Sequence, residues 1–316
     1  MMNFPVSQSR GTMPLKQRLL AFVAILLTVM ITLLSGIAYW QMRAEIINGV
    51  HREIEATLQG NHAFIAHWVA QRRNAIEATA ARLASTNDPV PFLIAGKDAG
   101  RFDQTFVGYE HKWITYHLAD KQPPESYNPT ARPWYIEAER TKNTVVSEPY
   151  ICASTKLPCI TVARSVLSQR PSVVGGDVSL KEVIQIVNSI ELHGQGYAFL
   201  ATRDGKIVAH PQPASELKQV DSILPGFDPA ILQTTDAPLL PHELEIKGVP
   251  KYVAAAPIPG ADWVLCIVID KATALSPLRS LLWRLVLAGL FIVLLGTPIA
   301  NLTLAMLFAG TRNSPE

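Results

Sequence analysis

Charge is scarce in this sequence: 17% of the residues are Asp, Glu, Lys or Arg, against roughly 25% in an average soluble protein. The 28 basic and 26 acidic side chains nearly cancel, and no block of like charges could follow a phosphate backbone, which argues against a nucleic-acid partner. Cysteine is also rare, with three in the whole chain. There is no C-x-x-C pair, and the eight histidines form no short-spaced set, so no metal site and no cofactor is predicted. The chain also lacks G-x-S-x-G, H-E-x-x-H and a phosphate-cradling Walker loop. Ser147-Glu148 has no general base that the sequence identifies, so no catalytic residue is assigned and the chain is not read as an enzyme.

Apolar residues are abundant, at 48%, and two uncharged runs hold many of them. Leu19 to Trp40 spans 22 residues, where about 20 cross a bilayer core. It is too long for the apolar core of a cleaved signal peptide, about 7 to 15 residues. Leu285 to Gly310 spans 26, with Trp283 and Arg284 at its start and Pro298 inside it, where a kink is expected. Arg10, Lys16 and Arg18 precede the first run without an acid, which keeps the N-terminus in the cytoplasm. The expected layout is a cytoplasmic N-terminus (1–18), a first span (19–40), an extracytoplasmic segment (41–284) and a second span leading to a six-residue cytoplasmic tail, 311–316.

From Gln41 to about Ser85 no proline occurs, and Met42, Ile46, Val50, Ile54, Leu58, Ile65, Trp68, Val69, Ile76, Ala80 and Leu83 recur mostly at helical steps. This predicts one long amphipathic stalk helix over 41–86, whose apolar stripe must be covered by its own domain, by a second copy in a homodimer, or by both. After Asn87-Asp88-Pro89 come short strand-like runs with turn signals, including KQPPESYNP, plus a helix near Pro133 to Thr141 and another over Ser179 to Ile190. Asp204-Gly205 between apolar runs predicts a hairpin. HELEIKGV, KYVAAAPI and WVLCIVID predict three further strands. The fold class is therefore α+β: a membrane-distal module (87–190), a membrane-proximal module (191–276) and an exit helix with the second span, 277–310. Cys152 and Cys159 flank the turn-like Ser154-Thr155-Lys156. A disulfide there suits an extracytoplasmic compartment, two unpaired thiols being the alternative. Cys266 reads as a buried apolar side chain.

The informative segment is Tyr127-Asn-Pro-Thr-Ala-Arg132-Pro-Trp134-Tyr135, followed by Glu148-Pro149-Tyr150 and Gly175-Gly176-Asp177. Arg132 offers a permanently charged fork of donors for a carboxylate. Tyr127, Trp134 and Tyr135 offer apolar faces with polar tips, able to wall a pocket and face an ammonium. Asp177, after an apolar strand and an expected Gly-Gly kink, could take the positive end of a zwitterion. Trp113 is a further candidate pocket wall. One fixed cation, one fixed anion and aromatic walls describe a receptor for a free amino acid.

These motifs resemble the double Cache domain of bacterial transmembrane receptors, in its amino-acid-binding subgroup, over about residues 19 to 300. The resemblance implies two PAS-like antiparallel-sheet modules. It places Tyr127, Arg132, Trp134, Tyr135, Tyr150 and Asp177 on the ligand-contacting motif, with Arg and Trp holding a carboxylate and Tyr and the late Asp an amino group. Where the family often has an acid two residues after the E-P-Y tyrosine, this chain has Cys152. The expected function is an inner-membrane sensor for an L-amino acid, with chemotaxis among the outputs the resemblance implies. Amines or small carboxylates as ligands, or a non-sensing envelope scaffold, are the alternatives. A chain that stops at Glu316 would need a separate cytoplasmic or membrane signalling partner.

Overall fold

The computed structural model describes residues 15–310 except 119, 122, 124, 125, 168–170 and 234–237. The expected cytoplasmic tail and most of the N-terminal segment lie outside the described residues. Two compact units emerge, residues 50–274 and a second containing the two apolar helical segments.

The helices are α1 (Leu15–Leu83), α2 (Val90–Gly100), α3 (Pro133–Thr141), α4 (Leu180–Asn188), α5 (Val220–Ile223), α6 (Lys271–Ala274) and α7 (Ser276–Gly310). Strands β1 (Gln104–Tyr109), β2 (Ile114–Tyr116), β3 (Val145–Val146), β4 (Tyr150–Ile151), β5 (Pro158–Val166) and β6 (Ser172–Ser179) form one antiparallel sheet, ordered β2-β1-β6-β5-β3 with β4 also on β5. Strands β7 (Gly196–Thr202), β8 (Ile207–Ala209), β9 (Leu239–Ile246), β10 (Val249–Ile258) and β11 (Trp263–Asp270) form the other, ordered β8-β7-β11-β10-β9.

Several elements follow directly from local chemistry. Gly205 has φ +92° in the β7–β8 turn, a conformation that glycine reaches without steric cost. Ser179 caps α4 by accepting from the Lys181 N–H at 3.2 Å, satisfying one of the free donors at a helix start. The stripe Ile54, Leu58, Ile65, Val69 and Ile76 of α1 is buried, so its own domain covers that face.

Other elements depart from expectation. Helix α2 was not anticipated, because a short segment with two glycines gives a weak helical signal; burial of Leu93 holds it in place. The extended run expected across 121–129 lies partly outside the described residues, and its described end forms the 3-10 turn Pro129–Ala131. Gly175-Gly176 makes no kink, since β6 pairs in register with β1 and β5 straight through both glycines. The glycines clear space instead: a Cβ on Gly175 would stand 2.7 Å from the Phe106 ring, and one on Gly176 2.7 Å from Phe102.

Helix α1 is tied to both sheets of its unit. Arg72, 3% exposed, reaches Glu182 of α4 at 2.7 Å and stacks on Trp68 with 3.7 Å to the ring centre. Arg73 donates to the Thr144 carbonyl at 2.6 Å and to the Gly260 carbonyl at 2.9 Å. In the other unit, the helical segments carry apolar windows of mean hydropathy 1.7 and 2.0 that are 0% and 6% buried. Both helices are long and apolar enough to cross a membrane. Pro298 lies inside α7.

Candidate functional site

The site grows from two local structures on the β1–β6 sheet. In the first, Asn128 Oδ1 accepts from the Thr130 N–H at 3.1 Å and from its hydroxyl at 2.8 Å, starting the 3-10 turn. Arg132 follows with an extended backbone, φ −91° and ψ 147°, as expected before proline. Pro133 opens α3, whose first turn aims Trp134 and Tyr135 into the core, 0% and 6% exposed. Arg132 is left at the junction, its guanidinium 4.9 Å from the Tyr127 ring centre. The Trp134 ring packs 5.0 Å from Phe106. Its Nε1–H is buried without a hydrogen-bond partner, yet close enough to the Tyr127 phenol to help hold that group's pKa down against its burial. A buried indole N–H whose contact with a phenol is too loose to be a full hydrogen bond is suited to an incoming carboxylate, because a buried N–H without an acceptor costs about 1 to 3 kcal/mol.

In the second, sheet register does the assembly. Asp177 of β6 is paired with Gln104 of β1 on one side and Thr161 of β5 on the other, which brings three polar side chains into one row. Asp177 Oδ1 accepts from the Thr161 hydroxyl and Oδ2 from Gln104 Nε2, both at 2.6 Å. The Thr161 proton is then committed, so at 2.7 Å the Tyr150 hydroxyl donates to Thr161 Oγ1. Burial pushes the Asp177 carboxyl up to about 6, despite the two hydrogen bonds that pull it down. The Tyr116, Tyr127 and Tyr150 phenols are all raised, first by burial and further by the charge of Asp177, while Arg132 lowers each of them. Arg132, Asp177 and the three tyrosines thus share one electrostatic neighbourhood.

A cavity of about 280 Å³ is lined by Ser126, Tyr127, Asn128, Ala131, Arg132, Ala153 and Lys156, close to the lower end of the range for small-molecule sites. Asp177 does not line it; Thr161, Gln104 and the Cys152 sulfur, 3.4 Å from Oδ2, close around its carboxylate. Cys152 and Cys159 are disulfide-bonded with Cα atoms 5.7 Å apart. They lie within 4.8 Å of an Asp177 oxygen, but joined sulfurs offer no thiolates to a metal ion.

Tyr127, Arg132, Trp134, Tyr150 and Asp177 are therefore gathered together. Tyr135 lies in the adjoining core, its ring 5.6 Å from Trp134. Trp113 is elsewhere: Gly108 pairs with Ile114, which leaves residue 113 in the β1–β2 turn, 51% exposed. The hairpin supplies Tyr116 instead, whose alternation with Ile114 in I-T-Y was a usable signal. Gln104 and Thr161 carry no local signal because their places depend on pairings between strands distant in sequence, and Lys121, in the loop after β2, meets Gln104 only in the folded chain.

The sequence pattern of the Cache domain family matches residues 40–278. Among curated relatives, the methyl-accepting chemotaxis protein PctB of Pseudomonas aeruginosa is 30% identical over 237 residues, covering 72% of this chain and 37% of its own length. PscA of Pseudomonas syringae is 25% identical over 272 residues, covering 84% and 42%. The chain thus spans about two fifths of the length of these relatives. The ligand-binding domain of the Pseudomonas fluorescens chemoreceptor CtaA in complex with L-isoleucine superposes with TM-score 0.63 at 28% identity, over 74% of this chain and 98% of that one. The ligand-binding domain of the amino-acid chemoreceptor PctB in complex with L-Arg gives 0.62 at 28%, over 73% and 92%.

Proposed function

Because this chain belongs to the Cache domain family, we propose that it is the input part of an inner-membrane sensor, with residues 41–284 in the periplasm and an L-amino acid bound in the distal module. The observation that supports this reading is that Arg132 lies over the Tyr127 ring, Asp177 is a buried carboxyl, and Tyr116, Tyr127 and Tyr150 all feel both charges. Trp134 and Arg132 hold the ligand carboxylate, while Asp177 and the tyrosines hold its ammonium. No covalent chemistry is involved. The ligand shifts the domain between forms by no more than its difference in affinity for them, about 1 to 3 kcal/mol in typical allosteric coupling. A homodimer through the stalk and the membrane helices carries the shift inward, to a methyl-accepting type of output in the same or a partner protein.

The test is calorimetry on the 316-residue chain in lipid nanodiscs against the twenty amino acids. Binding of at least one, abolished by Arg132→Ala, is the expected result. Binding of none, with simple amines and carboxylates equally inert, rejects the reading in favour of a scaffold. Arg132→Ala sparing an amine, or Asp177→Ala sparing a simple carboxylate, identifies those ligand classes instead.

A further inference from the structure

Cations dominate the described wall of the distal cavity. Arg132 and Lys156 both line it, and none of its described lining residues is acidic. Neither has a carboxylate within ion-pair distance among the described residues. Lys156 is held at the rim by backbone and covalent constraints. It sits in the turn between β4 and β5 with φ +59°, its N–H donates to the Cys152 carbonyl at 3.0 Å and the Cys152 N–H donates to Leu157 at 2.9 Å. The disulfide to Cys159 closes the same turn. A third cation, Lys121, donates to Gln104 Oε1, lies 4.9 Å from the Tyr116 ring centre and is close enough to Asp177 to lower its pKa.

A zwitterion with a neutral side chain meets Arg132 with its carboxylate, which leaves the exposed Lys156 ammonium at the rim with no acid opposite it among the described lining residues. A cationic side chain adds a further positive charge. A second carboxylate on the ligand removes the imbalance, and a volume near 280 Å³ suits a molecule no larger than a free amino acid. We propose that the pocket selects amino acids bearing a second acid group, of the aspartate and glutamate class, and that Lys156 is the specificity-determining residue facing the side-chain carboxylate. This rests on the amino-acid reading above.

The experiment is calorimetry on the full chain in nanodiscs with L-Asp, L-Glu, L-Asn, L-Gln and L-Lys, repeated on Lys156→Met. Methionine at 156 keeps the side-chain length and the same backbone conformation, and an unchanged melting temperature verifies the fold. The acids are expected to bind about tenfold more tightly than their amides, the size of one charge-assisted contact, and L-Lys most weakly. Lys156→Met should erase the preference while leaving the amides unaffected. Amides binding as well as acids to the wild type, or a preference that survives Lys156→Met, overturns this inference and leaves the amino-acid reading intact. If no amino acid binds, that broader reading fails and takes this inference with it.

Discussion

Substituting Asp177 by Asn should make the protein more stable and less able to bind. The carboxyl is 5% exposed and its pKa is pushed from 3.8 up to about 6. A shift of roughly two units corresponds to about 3 kcal/mol of destabilisation by the charged form at neutral pH. The sign follows from proton binding. Between about pH 4 and 6 the folded state holds the proton while the unfolded state has lost it, so stability falls as pH rises through that window and is level above it. Burial is the main cause, followed by the opposing Thr161 and Gln104 hydrogen bonds, then Asp103 and Lys121. Asparagine removes the charge and keeps the Thr161 hydroxyl as a donor to its oxygen. Its NH2, however, meets the Gln104 Nε2 donor, and one lost hydrogen bond costs about 1 kcal/mol. The net gain is then about 1 to 2 kcal/mol, a rise of roughly 2 to 8 °C in melting temperature for a unit of this size. The measurement is thermal unfolding of residues 50–274, wild type against Asp177→Asn, at pH 4, 5, 6 and 7.5. The variant should gain at pH 7.5 and lose its advantage by pH 4, while ligand-induced stabilisation disappears at every pH. A variant less stable than wild type by the same amount at all four pH values would refute the burial argument, and undiminished ligand binding would refute the role of Asp177.

Three further substitutions probe other parts of the site. Arg132→Ala should weaken amino-acid affinity at least about thirtyfold by calorimetry, because a charged pair to the ligand carboxylate contributes about 2 to 5 kcal/mol when truncated. Replacing both Cys152 and Cys159 by Ser opens a turn closed over a sequence separation of seven. Chain entropy puts that loss at about 2 to 3 kcal/mol, read as a lower denaturant midpoint that reductant reproduces in the wild type. Trp113→Ala should leave ligand affinity unchanged, since that ring stands at the hairpin tip; a tenfold loss would restore it to the pocket wall.

Local signals were the legible ones. Apolar runs longer than a bilayer core, heptad-like burial along α1, the Asp204-Gly205 turn and the Arg132-Pro133 helix start all depend on neighbours within a few residues, and each leaves a mark in the sequence. Gly175-Gly176 reads as a bend because the sequence does not show which rings approach a strand from other elements. The Gln104, Asp177 and Thr161 row was hidden for the same reason: residues 73 and 16 positions apart meet only through antiparallel register, which long-range pairing sets. Asp177 itself was found through its motif, whereas the hydrogen bonds that position it carry no sequence signature. Lys156 reads as an ordinary turn residue in the sequence, and only the cavity beside it sets it apart.

Arg73 joins the two sheets of the extramembrane unit through a single guanidinium nitrogen. Its Nη1 donates to Thr144, just before β3 of the first sheet, and to Gly260, in the turn between β10 and β11 of the second. Any rotation of one sheet against the other must therefore break one of these bonds or carry α1 with it. A hydrogen bond from a charged donor is worth about 1.5 to 3 kcal/mol, comparable to a typical coupling energy, so the linkage is strong enough to transmit ligand closure and weak enough to be switched. Arg73→Met removes both bonds without altering the described cavity lining, so any change it makes in amino-acid affinity measures the coupling those bonds carried, about 1 to 3 kcal/mol. Hydrogen exchange then decides the matter. Wild type should show ligand-dependent protection along residues 60–83 of α1, and the variant should confine the change to the first sheet. Equal ligand-dependent protection of α1 in both proteins would show that the coupling runs instead through Arg72 and Glu182 or through apolar contacts along the buried helix face.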